Sequence, residues 1–435
     1  MEQLVICGGK KLSGTVAVHG SKNAASKCMI ASLLTDEPCV IENIPLSGEI
    51  DIAAEICTAV GSVVRLGDDH VCRIETAQVL TPKVPQLSRR NRLPILAIGP
   101  LVHRTGTAEV PILGGDPIGH RPIDFHFDAL SRMGVRIERQ ENSYVASARA
   151  LHGAVIEFPY PSVGATENVL LTAVRAEGRT EILNAAVEPE IMNLIAMLVL
   201  MGARIAADVE QRHITIDGVS RLHGAMIRIV PDRNEAVSFA AAALVTNGDV
   251  LVQDIEASYF QPFLTAIEQL GAHYEIQKSG IRFWGAKPYR PLSLETAPHP
   301  GFMTDWQQPF CVLLTQASGE SIIHETVYEE RFGFVKDLNR MGADITVSDE
   351  CHGVSPCRFA HHTFNHSALI KGPTELHGTE ITMKDIRAGM AHILASLAAG
   401  GESVISGVEH IDRGYEKLDE RLRSLGADIQ RISKF

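Results

Sequence analysis

Aromatic side chains are scarce in this chain: they make up 5% of its 435 residues, and only 2 of them are tryptophan. Small and branched aliphatics must therefore do most of the core filling. Long apolar runs are missing too. No stretch approaches the roughly 18 uninterrupted apolar residues that a membrane-spanning helix needs, which excludes a span of that kind. The opening MEQLVICGGKKLSG carries Glu2 at its front and no long apolar run, so it does not read as a secretory signal. An excess of basic charge is also lacking. The formal net charge of −12 excludes a general nucleic-acid binder, which presents a basic face, and leaves any anionic ligand to local arginines and lysines. The 8 cysteines are scattered and form no framework of a small secreted scaffold. A soluble protein of the reduced cytoplasm is the expectation. Its 45% apolar and 21% charged residues are ordinary for a globular chain, and its length exceeds what a single core supports, so two domains are the default.

What is present is periodic. The hexamers VGSVVR (60–65), MGVRIE (133–138), MGARIA (201–206), LGAHYE (270–275), MGADIT (341–346) and LGADIQ (425–430) share one pattern. Each follows a helical pattern and precedes a β-rich run, with glycine where a helix end needs a left-handed residue. A second element recurs in phase: RTGTAEV, EGRTEIL, NGDVLVQ, SGESIIH and GGESVIS read as turns feeding strands, each after an Ala/Leu-rich helix. A unit of about 70 residues, with two helices and several strands, thus occurs six times, and six units exceed one core. Two lobes of three units each follow, with a ligand site expected in a cleft between them. The longest interval, between Gly342 and Gly426, contains an insertion near 350–370.

Several local patterns carry polar groups suited to an anion. In VHGSKNAASKCMIASLL (18–34) a strand, a tight turn and a helix are expected, with Ser21 at the N-cap and Lys22 in the first turn, where exposed N–H groups favour negative charge. This is not a Walker loop, which needs four residues between Gly and Gly-Lys. ILGGDPIGHRP (112–122) sets Asp116 among Gly114, Gly115 and Gly119 with Pro117 and Pro122, and taken alone it reads as a surface turn. Asp305 in GFMTDWQQPF reads locally as a helix N-cap. Arg331, Arg387 and Arg413 lie at polar–apolar boundaries of successive repeat units and converge only if the repeats close around an axis. In FPYPSVGATENVLL, Ser162 and Gly164 expose backbone before a helix starting near Thr166. The insertion ECHGVSPCRFAHHTFNHS (350–367) holds Cys351, His352, Cys357, His361, His362 and His366. Zinc accepts such ligand types, but the spacing fits no standard zinc module, so a structured loop without metal is expected.

The strings SKNAA (21–25), LAIGPLV (96–102), GGDPIGHRPID (114–124), PSVGATEN (161–168), EPEI (188–191), TD (304–305), RF (331–332) and HIDRGYE (410–416) resemble those of the enolpyruvyl transferases, and the likeness spans essentially the whole chain. The resemblance implies an α/β fold, a two-lobed inside-out α/β barrel of six βαβαββ units, three per lobe. It implies one lobe over 22–231 carrying the lid loop 112–122, and a second made of 1–21 plus 232–435. It further implies transfer of the enolpyruvyl group of phosphoenolpyruvate to the 3′-hydroxyl of UDP-N-acetylglucosamine, an early step of peptidoglycan synthesis, with no cofactor and no metal.

Carried over by position, Lys22, Arg121 and Arg413 match the family's residues around the phosphate. Arg331, Arg387 and Arg413 match those around the carboxylate, where a planar guanidinium fork fits best. Arg92 matches a further pocket arginine, and Asn23 stands on the sugar side. Arg121, Pro122, Ile123 and Asp124, with Ser162, Val163, Gly164 and Val327, match contacts to the nucleotide sugar. Asp305 matches the residue near the 3′-hydroxyl, the general base. Glu188, Asp232 and Arg233 match polar cleft positions. Asp116 takes the lid position where many members carry the cysteine that fosfomycin alkylates, which implies a catalytic acid on a lid and insensitivity to that epoxide. PDRNEAVSF (231–239) departs from the family pattern at Asn234, Ala236 and Val237 while keeping Asp232, Arg233 and Glu235. That departure and the insertion keep two alternatives open: a different uridine nucleotide as acceptor, and a catalytically silent regulatory paralogue.

Overall fold

The structure is a computed structural model and describes residues 2–89, 91–114, 123–353 and 357–433. The chain forms two compact units. An inserted unit lies within Gly20–Val230, and a discontinuous unit combines the residues up to His19 with those from Pro231 onward. Each has its own apolar core, and no residue is shared between the two clusters.

One repeat shows the building rule. Strand Val155–Glu157, helix Val163–Ala173, strand Arg179–Leu183, helix Pro189–Leu200 and strands Arg204–Asp208 and His213–Asp217 follow one another. The first two strands pair in parallel and the rest antiparallel, so the fourth strand lies between the second and third. A helical crossover is what allows the parallel pair, and a tight turn suffices for the final hairpin. Six open sheets follow this plan among the described residues, three in each unit. In one of them the isolated bridge Lys83↔Glu109 stands where the others have an edge strand.

The connections between units interrupt two repeats. Ser13–Ala17 pairs in parallel with Asp249–Gln253, and Met226–Arg228 with Cys39–Glu42. In both cases the helix that follows the edge strand in sequence belongs to the other unit.

All six hexamer glycines have left-handed backbone, φ between 82° and 111°. That conformation costs an L-residue about 1–2 kcal/mol, which explains why glycine recurs at the point where each helix turns into its strand. Within each repeat one helix is buried. Arg233–Val245 and Gln307–Leu314 have no exposed residue at all, and Ile386–Ala398 and Val163–Ala173 are buried over nearly their whole lengths. Helices apolar all round belong in an interior, and the alanine-rich SFAAAALV lets neighbours approach closely. No helix of the described residues is long and apolar enough to cross a membrane.

Candidate active site

In the discontinuous unit the three buried helices Arg233–Val245, Gln307–Leu314 and Ile386–Ala398 pack on one another. The polar residues at their starts come together. Asp305 does not cap a helix: it sits in the 3-10 turn Thr304–Trp306 ahead of Gln307–Leu314. Its two carboxylate oxygens meet two guanidiniums. Arg331 donates from Nη2 to Oδ1, and Arg387 Nε stands 3.0 Å from Oδ2. Both arginines are buried, and a charge in that setting needs a partner. Burial works against the Arg387 charge, yet Asp305, with Tyr415 and Asp232, holds its pKa above the ordinary arginine range. Arg387 Nη1 also donates to Tyr415 Oη at 3.1 Å, and Tyr415 pairs with Ser238 Oγ at 2.7 Å. Asp385 caps the Arg387 helix, accepting from the N–H groups of Arg387 and Ala388 at 2.9 Å.

Local packing fixes where Asp305 lies. Its neighbour Trp306 is fully buried, edge-on to Phe302 and Phe263 with ring centroids 5.6 and 6.2 Å away. Each such pair contributes about 0.5–1.5 kcal/mol beyond area burial. The Arg233 guanidinium lies 5.8 Å from the same indole. Thr304 Oγ1 accepts from Arg331 Nε at 3.2 Å and donates to Glu325 Oε2 at 2.9 Å. Glu325 also accepts the backbone N–H groups of Val327 and Tyr328, at 2.7 and 3.1 Å. Burial pushes the Glu325 carboxyl above its usual range, against the pull of Arg331. The predicted contact Val327 is thus set by a carboxylate that the sequence did not single out. Arg413 follows helix Val408–Asp412 and is half-buried.

Asp232 caps Arg233–Val245, accepting from Asn234 and Glu235 N–H at 2.8 and 3.2 Å. Glu235 accepts from His19 N–H at 2.8 Å and from Arg421. The divergent Asn234, Ala236 and Val237 are all buried, and neither polar atom of the Asn234 side chain has a hydrogen-bond partner among the described residues.

In the inserted unit Lys22 is the first residue of helix Lys22–Ala31, and it is buried, with Nζ 3.4 Å from Asn23 Oδ1. Ser21 occupies the N-cap position but its hydroxyl makes no capping bond. Arg92 precedes the turn Leu93–Ala97 that leads into helix Ile98–Thr105. Helix Val163–Ala173 starts earlier than the sequence suggested, because Ser162 itself is the cap and accepts from Ala165 N–H at 3.4 Å. A β-carbon on Gly164 would come within 3.1 Å of the His126 ring. His126 Nδ1 accepts from Asn168 Nδ2 at 3.2 Å, and Asn168 also reaches the Ile95 carbonyl at 3.4 Å. His126 therefore joins three segments that carry predicted site residues. Burial, with the Arg92 charge, lowers its pKa to about 3, so it is neutral at ordinary pH. Ile123 precedes and exposed Asp124 begins helix Asp124–Arg132. The approach to the glycine-rich loop is anchored: Gly114 N–H donates to Asn91 O at 3.2 Å, and Asn91 Nδ2 donates to Glu49 at 3.1 Å. Asp116, Arg121 and Pro122 lie outside the described residues.

His126, Asn168, Glu325, Tyr415 and Ser238 were not singled out from sequence. Tyr415 lies inside HIDRGYE, but nothing in that string shows its hydrogen bonds to Ser238 and Arg387. Glu325 directly follows strand Gly319–His324, and its partner Thr304 lies 21 residues upstream.

Each unit thus presents buried helices that begin at cationic or capping residues, an arrangement suited to a highly anionic small molecule. Residues 6–422 match the EPSP synthase (3-phosphoshikimate 1-carboxyvinyltransferase) family, and the chain belongs to that family. Within it, the chain is 45% identical over 443 residues to the UDP-N-acetylglucosamine 1-carboxyvinyltransferase of Protochlamydia amoebophila (strain UWE25), covering 100% of this chain and 95% of that one. The enzyme of the same name from Chlamydia pneumoniae is 43% identical, with 98% of this chain and 94% of that one covered. Among solved structures, the enolpyruvyl transferase NikO from Streptomyces tendae superposes with a TM-score of 0.86 at 23% identity, over 99% of this chain and 98% of that one. EPSP synthase from Acinetobacter baumannii superposes with a TM-score of 0.74 at 17% identity, over 100% of both chains. At those identities the two structures establish the shared α/β fold.

Proposed function

We propose that this chain transfers the enolpyruvyl group of phosphoenolpyruvate to the 3′-hydroxyl of UDP-N-acetylglucosamine, in the cytoplasm and without a cofactor. One observation carries the reading: in a chain similar over its full length to enzymes of that name, Asp305 stands between Arg331 and Arg387. In the first step the 3′-oxygen bonds to C2 of phosphoenolpyruvate while C3 gains a proton. In the second, C3 loses a proton and the C2–O bond to phosphate breaks, leaving an enol ether and inorganic phosphate.

Asp305 takes the hydroxyl proton. Arg331, Arg387 and Arg413 receive the substrate carboxylate, for which a planar fork is suited. Lys22, Arg121 and Arg413 surround the phosphate, with Arg92 adding positive charge to the pocket. Asn23, Arg121, Pro122, Ile123, Asp124, Ser162, Val163, Gly164 and Val327 hold the nucleotide sugar. Asp116 is the acid toward C3.

A second reading, another uridine nucleotide as acceptor, is favoured by the buried Asn234, whose side chain has no partner among the described residues, in the divergent segment 232–237. Mass spectrometry of reactions with phosphoenolpyruvate and a panel of uridine nucleotides separates the two. An enolpyruvyl adduct of UDP-N-acetylglucosamine supports the first, and an adduct of another uridine nucleotide alone supports the second.

A further inference from the structure

Three side chains of the insertion and one of a neighbouring strand, all of metal-ligating type, meet at one point in the discontinuous unit. His324 ends strand Gly319–His324, and His366 immediately precedes strand Ser367–Gly372, which pairs with it. Cys351 and Cys357 come from the chain between strand Asp344–Ser348 and His366. One ligand atom from each of the four lies within 4.8 Å of all the others. In a tetrahedral zinc site with ordinary Zn–S and Zn–N bonds, ligand atoms stand roughly 3.3–3.8 Å apart, so small side-chain rotations suffice to close on an ion.

The hydrogen bonds around the two imidazoles point the same way. Ser367 Oγ donates its only proton to Glu350 O at 2.6 Å, so it accepts from His324 Nδ1 at 2.8 Å. That assigns the proton of neutral His324 to Nδ1 and leaves a lone pair on Nε2. His324 is 1% exposed, and its Nε2 has no hydrogen-bond partner among the described residues. His366 Nδ1 faces the Phe364 carbonyl at 3.0 Å, and a carbonyl only accepts, so this Nδ1 carries the proton too. Its Nε2 then faces Cys351 Sγ at 3.2 Å. Orientation of a ligating histidine through its other ring nitrogen is the usual support of a metal site. Phe359 N–H donates to Cys357 Sγ at 3.3 Å. Cys351 is exposed and gives a path of entry.

We propose that His324, Cys351, Cys357 and His366 form a structural zinc site. Two thiolates and two neutral imidazoles neutralise a divalent cation and exclude the oxygen-seeking magnesium and calcium. The sequence alone could not show it, because the fourth ligand comes from a strand 27 residues upstream of Cys351. The site would pin the insertion against the sheet. Arg358, next to Cys357, donates to the Val327 carbonyl at 2.8 Å, so the same clamp would steady the segment leading to Arg331.

The test is elemental analysis of the full-length protein, purified without a histidine tag from zinc-supplemented medium, followed by cobalt(II) exchange. About one zinc per chain is expected, with a thiolate-to-cobalt charge-transfer band in the near ultraviolet. Cys351→Ser and Cys357→Ser should each remove the band and most of the zinc while circular dichroism stays unchanged. A His324→Ala variant that retains full zinc overturns the ligand set. A well-folded wild type without zinc or the cobalt band, or with Cys351 and Cys357 joined in a disulfide, overturns the site.

Discussion

Asp305 shows what single residues do in this protein. Its carboxylate is half-buried between the buried guanidiniums of Arg331 and Arg387, so removing Asp305 takes away the counter-charge that both of them share. Lys22 is the corresponding residue of the inserted unit. Lys22→Ala should lower kcat/KM by about 3 kcal/mol or more, the usual loss for a preorganised charge facing developing negative charge. Steady-state kinetics on a variant with unchanged circular dichroism checks this, and near-normal values remove Lys22 from the chemistry. At Asp116 the chemistry decides the outcome, since a carboxylate is a far poorer nucleophile toward an epoxide than a thiolate. The wild type should resist fosfomycin, and Asp116→Cys should gain time-dependent inactivation with one adduct on the lid peptide. An active cysteine variant that stays resistant contradicts the lid assignment. His126 carries a pH signature: its pKa is lowered by burial from 6.5 to about 3. The unfolded chain therefore takes up the proton first, and this residue makes stability fall as pH drops from about 6.5 toward 3. In urea titrations His126→Gln should lose less stability on acidification than the wild type, and parallel slopes would contradict the buried neutral ring.

At the scale of elements, the glycine pattern was legible because a left-handed helix end has a steric cause that only one common residue removes. Gly426 has φ +98° and a β-carbon there would meet nothing nearer than the Lys11 carbonyl at 3.8 Å, whereas at Gly61 it would come within 2.7 Å of Leu80. Gly426→Ala should therefore cost about 1–2 kcal/mol, the backbone term alone, and Gly61→Ala more. Denaturant midpoints rank the two, and the reverse order contradicts this account of the repeat. Capping was only partly legible. Ser, Asp and Thr near a helix start announce a cap, and Ser162, Asp232 and Asp385 are caps. Asp305 has the same local pattern but spends its carboxylate on two arginines, one 26 and one 82 residues away. No window of sequence contains that competition. The positions of the site residues came from motif resemblance; the supporting Glu325, Tyr415 and His126 became visible only when distant elements were brought together.

At the scale of the molecule, the six repeats are divided unequally between continuous and interrupted chain. All strands of the inserted unit fall between Cys39 and Arg228. The discontinuous unit needs Glu2–Cys7 in the middle of one sheet, between Glu402–Ser406 and Asp428–Ser433, and Ser13–Ala17 on the edge of another. A fragment of residues 20–230 should therefore unfold cooperatively by itself, while 231–435 should not fold without residues 1–19. Calorimetry of the two fragments decides, and a cooperative transition in the second alone contradicts the topology. The central claim is the reaction itself, and phosphate release from phosphoenolpyruvate tests it most directly. The purified chain should release phosphate when UDP-N-acetylglucosamine is present and almost none when it is omitted. Release that is independent of the nucleotide sugar, or none in its presence from a well-folded protein, would contradict the account.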